Sequence, residues 1–214
     1  MIDPAHLSAF VASRICHDIV SPLSSALPAL AMIDEPNDAE LRQAAEEVVK
    51  NSVEEISARV QFLRYAFGTV GLSDSAADMH DAKKLTEDFV ITHKHTIEWD
   101  IDTEHLSYSH ARLMMNLVMS AVRCLVRRGN ITVHIRNDAS GMVMNVNGVG
   151  ALSRDYSETL QGLAGETPEE GWSARNIQPL FAHMIADGLG AKINGSEPGE
   201  NHVLLSATGI RAEG

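Results

Sequence analysis

The sequence predicts an α+β protein in two parts: an N-terminal antiparallel helical hairpin that forms a dimeric four-helix bundle, and a C-terminal α/β sandwich. Three observations carry this reading. The first 70 residues hold two long stretches whose apolar residues recur every three or four positions, separated by the turn-forming "DEPNDAE". A Gly/Ser-rich break, "GTVGLSDSAAD", follows. Beyond it, helical and period-two stretches interleave, which is the pattern of strands stacked against helices. The division falls between residues 1–70, a hairpin domain, and residues 71–214, a mixed domain.

In the first helix, Val11, Ile15, Ile19, Leu23, Ala26 and Leu30 fall on one arc. Pro36 ends that helix and Asp38 caps the next, its carboxylate accepting from orphan amides. The second helix carries a stripe of Leu41, Ala45, Val48, Ser52, Ile56, Val60, Leu63 and Phe67, which faces the first arc. A lone pair of helices covers only one side of each, so pairing with a second copy supplies the missing contacts and predicts a homodimer. The alternative is that the C-terminal part covers the hairpin within one chain.

The second part begins with a helix from about Met79 to Val90 and a strand at "TIEWDI". Next comes the apolar helix "ARLMMNLVMSAVRCLV", closed by "RRGN", where Arg127 and Arg128 suit the negative helix end and Gly129 the cap. Strands "NITVHIR" and "MVMNV" follow, joined at "NDASG", and residues 150–173 form a loop-rich segment with one short helix. A last helix, "NIQPLFAHMIADGLG", leads into a hairpin that turns at "SEPGE". Methionines 114, 115, 119, 142 and 144 read as core filling.

The 214 residues are 44% apolar, enough to fill real cores. A formal charge of −12, with no stripe of Lys and Arg, argues against nucleic acid as a partner. "MIDPAHLSAF" lacks a basic region followed by an apolar run, and no stretch is read as a membrane span of about 18 to 20 apolar residues. The expectation is a cytoplasmic protein. Cys16 and Cys124 lie in apolar helical patterns and are expected to pack as small hydrophobes rather than form a disulfide or a zinc site. "HKH" at 93–95 has no third ligand at useful spacing, and no metal site is expected.

The order of "RICHDIVSPL" in a helical hairpin, then "LMMNLVMSAVRCLVRRGNITVHI", "NVNGVGAL" and "FAHMIADGLGAKINGSEPGENHVLLS", resembles the dimerisation and ATP-binding domains of sensor histidine kinases. The resemblance implies that the C-terminal part is a histidine-kinase ATPase-like domain, and it also locates three departures. Where those kinases carry an Asn that holds the magnesium of ATP, this chain has Ser120, with Asn116 one turn earlier. The Asp-x-Gly-x-Gly box that reads adenine is reduced to "VNGVG"; Gly148 and Gly150 remain, but Val146 or Asn147 stands where the carboxylate should be. The Gly-rich run bordering the phosphates falls at "NIQP", residues 176–179, without glycine. The chain therefore resembles the ChpT-type histidine phosphotransferases, relay proteins of kinase-like fold without kinase activity, and no cofactor is expected.

That resemblance implies a phosphoacceptor, His17, taking phosphate from the receiver domain of a hybrid histidine kinase and passing it to response-regulator receiver domains. Such chemistry asks mainly for exposure and positioning, because the receiver brings the magnesium. On the helical wheel His17 lies opposite the apolar arc and shares its face with Ser13, Arg14, Ser21 and Ser24, which are expected to meet the partner. Asp18 either orients the ring through Nδ1–H, pairs with an Arg across the hairpin, or is solvated. Pro22 should bend the helix beyond His17 and shape the dock, and Arg59, level with His17 on the second helix, is a further docking candidate. Two other function classes stay open: an active ATP-dependent histidine kinase, and a noncatalytic dimeric adaptor.

Overall fold

The computed structural model describes residues 2–33, 38–68, 76–103, 106–139 and 141–211. Its helical hairpin consists of α1 (Pro4–Ile33) and α2 (Ala39–Phe67). Asp3 opens α1 by accepting from the amides of Ala5 and His6, and Asp38 opens α2 by accepting from those of Glu40 and Leu41 at 3.0 Å each. Pro36, expected to end α1, lies outside the described residues. The helix continues through both Pro22 and Pro28.

Small residues form the seam between the helices. Pro22, Ala26 and Ala29 of α1 and Ala45 and Ser52 of α2 are buried, which lets the two backbones approach closely. Of the large apolar residues in the predicted arcs, Leu63 alone is fully buried, Val11, Ile15, Ile19, Ile56 and Phe67 are half-buried, and the rest are open. Leu23 and Leu30 are 41% and 54% exposed, and Val20, Leu27, Leu41, Val48 and Val53 are open as well. A helix wheel locates apolar positions but not which neighbour covers them, and in one chain α2 covers only the small-residue edge of the arc. By length and composition α1 also qualifies as a membrane span, with mean hydropathy 1.2 over 18 residues, contrary to the sequence expectation. Arg14, His17 and Asp18 lie in the middle of that helix.

The last turns of α2 belong to a different environment. Phe62, Leu63 and Ala66 are almost fully buried among residues of the C-terminal part, and Phe62 stacks on Phe89 with centroids 3.9 Å apart. Tyr65 meets Tyr108, and Phe67 meets Phe181. One apolar core therefore runs from the hairpin into the second part, taking in the last turns of α2 and, on α1, Ile15.

The second part contains β1 (Ala76–Ala77), α3 (Met79–Thr92), β2 (Thr96–Ile101), β3 (Leu106–Ser107), α4 (Tyr108–Cys124), β4 (Asn130–Asp138), β5 (Gly141–Val149), α5 (Tyr156–Leu163), α6 (Ile177–Gly188), β6 (Lys192–Gly199) and β7 (His202–Ile210). A five-stranded sheet runs in the order β2-β4-β5-β7-β6; β2 and β4 are parallel and the other pairs antiparallel. Burial alternates along β5 and most of β4, so one face packs on the helices and the other faces water. α4 lies at the centre of the helical layer, with fourteen buried residues including Met114, Met115 and Met119.

Two boundaries differ from expectation. Helix α4 stops at Cys124, and the left-handed residue after it is Arg128 at φ 59°, not Gly129. Gly129 is needed for space instead: a Cβ there would meet Leu125 Cδ1 at 2.6 Å and Val149 O at 3.0 Å. The last hairpin turns at Glu200 and Asn201, the end of "SEPGE" and the residue after it, with Asn201 at φ 58° and Pro198 placed in a register irregularity of the edge strand β6. Cys16 is exposed, whereas Cys124 is buried and its thiol is pushed up to about 12 by burial.

Candidate functional site

Nearly halfway along α1, the His17 side chain is 78% exposed while that of Asp18 is only 13% exposed. The helix turn explains the contrast: successive residues point about 100° apart, so one faces solvent and the next the hairpin seam. Asp18 Oδ1 lies 3.4 Å from His17 Nδ1, a long contact, while its Oδ2 accepts from Arg14 Nε at 2.9 Å. Of the alternatives the sequence left open, the carboxylate thus faces the ring and pairs with an Arg of its own helix. With a proton on Nδ1 turned to that carboxylate, Nε2 keeps its lone pair toward solvent.

Ser13, Ser21 and Ser24 are exposed beside His17 as the wheel predicts. Arg14 is half-buried; besides Asp18 it reaches the Arg175 carbonyl at 3.5 Å in the loop before α6. Pro22 and Arg59 sit elsewhere than expected. Pro22 is buried in the seam, and the Arg59 side chain, 11% exposed, turns inward, with Nη1 donating to Asp18 O at 2.9 Å and Nη2 paired with Glu55. Neither lies on the open face.

A cleft of about 410 Å³ opens beside this helix where the hairpin meets the second part, lined among others by Arg14, Arg59, His93, Lys94 and Arg123. Arg123 comes from α4 and pairs with Glu158 at 3.3 Å. Sequence reasoning missed this cluster, because its members lie on four separate elements. His93 and His95 each have one ring nitrogen tied to backbone: His93 Nδ1 is 2.9 Å from Phe89 O, and His95 Nδ1 accepts from Gly129 N at 3.0 Å. Burial pushes His93 down to about 4 and also lowers His95.

The positions that the sequence resemblance assigned to ATP and magnesium are filled from within. Ser120 Oγ lies 2.9 Å from Asn116 O and 3.1 Å from Gln178 Oε1, two acceptors that share its single O–H; Gln178 Nε2 donates back to Asn116 O at 2.9 Å and Oδ1 at 3.2 Å. Asn116 Nδ2 in turn donates to Ala66 O at the end of α2, at 3.0 Å. All three side chains are buried. Gln178 is the second residue of α6, so the "NIQP" segment closes the site that a glycine run would leave open. At the residual glycines, Leu125 is buried over Gly148, where a Cβ would come within 3.3 Å of Leu125 Cδ1. These residues do not fit a nucleotide with its metal: the polar atoms that would bind it are turned to one another, and the glycine hollow holds a leucine.

A histidine open on a helical hairpin, joined to a mixed domain whose polar pocket is filled from within, is the arrangement expected of a histidine phosphotransferase. Residues 79–201 match the family described as "Histidine phosphotransferase C-terminal domain", and the chain belongs to that family. It is 28% identical over 188 residues to the protein phosphotransferase ChpT of Brucella abortus (strain 2308), covering 88% of each chain. Among solved structures, one described as a bacterial phosphotransferase matches with a TM-score of 0.84 at 26% identity, over 97% of this chain and 98% of the other. The protein is thus of the ChpT type.

Proposed function

We propose that this chain is the histidine relay of a multistep phosphorelay, with His17 as phosphoacceptor. A receiver domain of a hybrid histidine kinase presents an aspartyl phosphate. Nε2 attacks phosphorus, the P–O bond to the aspartate breaks, and the carboxylate leaves with the bonding pair; a P–N bond forms, while Nδ1 keeps its proton. An aspartate of a response-regulator receiver then attacks phosphorus, and the P–N bond breaks. Positioning dominates such transfers, and the receiver supplies magnesium and the acidic pocket. Asp18 faces Nδ1, where positive charge develops on the ring as the P–N bond forms.

The observation that carries this reading is the geometry of His17: 78% exposed, with a carboxylate 3.4 Å from Nδ1. Exposed Ser13, Ser21 and Ser24 leave room for a partner, and Arg14 lies within reach of an acidic receiver surface. The filled nucleotide site supports a relay that makes no use of ATP. The open apolar residues along α1 and α2 support a homodimer in which two hairpins form a four-helix bundle, since together they make a self-complementary face that this chain leaves uncovered. Such a relay works in the cytoplasm, where receiver domains are.

Incubation with a radiolabelled, phosphorylated receiver domain tests the proposal. Label should move to the wild-type chain and onward to an unphosphorylated receiver, in an acid-labile form, and His17→Ala should take none. Label retained by His17→Ala, or autophosphorylation of the wild type from labelled ATP, would overturn it.

A further inference from the structure

Pro22 leaves a gap in the hydrogen-bond ladder of α1 at one residue, Asp18. In a helix the carbonyl of residue 18 accepts from the N–H of residue 22, and a proline there has none. The donor comes instead from the other helix: Arg59 Nη1 reaches the Asp18 carbonyl at 2.9 Å. Glu55, one turn earlier on α2, holds the other guanidinium nitrogen, so the arginine is braced rather than free. The Asp18 carboxylate is fixed separately, by Arg14 Nε on Oδ2 at 2.9 Å. Asp18 is therefore gripped at its backbone by α2 and at its side chain by α1, and the oxygen left over is the one that faces His17 Nδ1.

We propose that Arg59 is a positioning residue for phosphotransfer, acting on the His17 ring through the Asp18 carbonyl that Pro22 leaves without a helix donor. This rests on the reading of His17 as phosphoacceptor. Arg59 touches no reacting atom. A proline next to an active residue ordinarily loosens its turn, because the ring crowds the carbonyl four residues back and no N–H holds it. The guanidinium restores the missing donor and sets where the Asp18 peptide sits, hence where its carboxylate meets the imidazole. Pro22 and Arg59 are in this sense one device. The proline creates an acceptor that no group of α1 fills among the described contacts, and the arginine fills it with a donor tied to the second helix.

Four chains test this with a phosphorylated receiver domain as donor: wild type, Arg59→Met, Pro22→Ala, and the double variant. Arg59→Met should slow transfer at saturating receiver about tenfold, the scale of one hydrogen bond from a charged donor. Nitrogen-15 NMR of the unphosphorylated chain should show the Nδ1–H tautomer of His17 losing population. In the Pro22→Ala background residue 22 regains its N–H, and Arg59→Met should then change rate and tautomer by less than about twofold. Arg59→Lys, which keeps a donor, should recover part of the rate and is the substitute if Arg59→Met fails to fold. Equal losses in both backgrounds, a loss confined to receiver affinity, or a lower melting temperature with an unchanged tautomer would overturn the proposal. A wild-type chain that takes no label defeats the acceptor reading and this proposal together. Labelling at His17 with no coupling between residues 22 and 59 defeats this one alone.

Discussion

Asp18 shows how much one residue can be asked to do: it takes a donor on its carbonyl, a guanidinium on one carboxylate oxygen, and an imidazole on the other. Asp18→Ala should leave the hairpin folded yet slow phosphate uptake about tenfold, as the rate of label transfer from a receiver would register. His93 makes a second prediction. Burial holds its pKa near 4, below the usual 6.5, so the folded chain stays neutral there while the unfolded chain protonates. Its contribution is whole above about pH 6.5 and is lost as pH falls toward 4, at up to about 1.4 kcal/mol per unit. His95 shifts in the same direction. Melting temperatures should fall across that window, and His93→Gln should flatten the decline. The exposure of His17 was readable from helical phase alone. The inward turn of Arg59 was not, because its partner is a carbonyl whose missing donor lies four residues away on another helix.

At the level of elements, what the sequence states locally came through and what depends on a neighbour did not. The Asp38 cap is local: a short acceptor before a helix and amides within its reach. Asp38→Ala should cost about 1 kcal/mol, seen as a lower unfolding midpoint in denaturant. Strand β2 likewise matches "TIEWDI", since alternation on a half-buried strand is a period of two. The end of α4 is not local. Gly129 reads as a cap but serves to let Leu125 and Val149 close in, while Arg128 takes the left-handed backbone. Gly129→Ala should therefore destabilise the chain by about 1–3 kcal/mol through overpacking, and Arg128→Gly should not. Calorimetry on the pair separates a steric glycine from a conformational one.

Over the whole molecule, the fold class was legible because each part carries its own periodicity. The way the parts join was not, because aromatic residues at the end of α2 give no sign of whether they meet a sheet domain or a second hairpin. In the structure they join the C-terminal core through Phe62 on Phe89, so heating should give one cooperative transition rather than two. The uncovered residues of the hairpin predict the opposite kind of sensitivity. Leu27, 59% exposed, lies on the proposed dimer face; Leu27→Glu should shift the sedimentation of a dimer to that of a monomer and leave the C-terminal part folded. The knot of Asn116, Ser120 and Gln178 makes three positions, far apart in sequence, interdependent. Truncating any one of the three would strand the hydrogen-bonding atoms of the other two in a dry interior, at about 1–3 kcal/mol for each one left unmade. The three positions are therefore free to change only together, and a substitution at one is tolerated when the other two change with it.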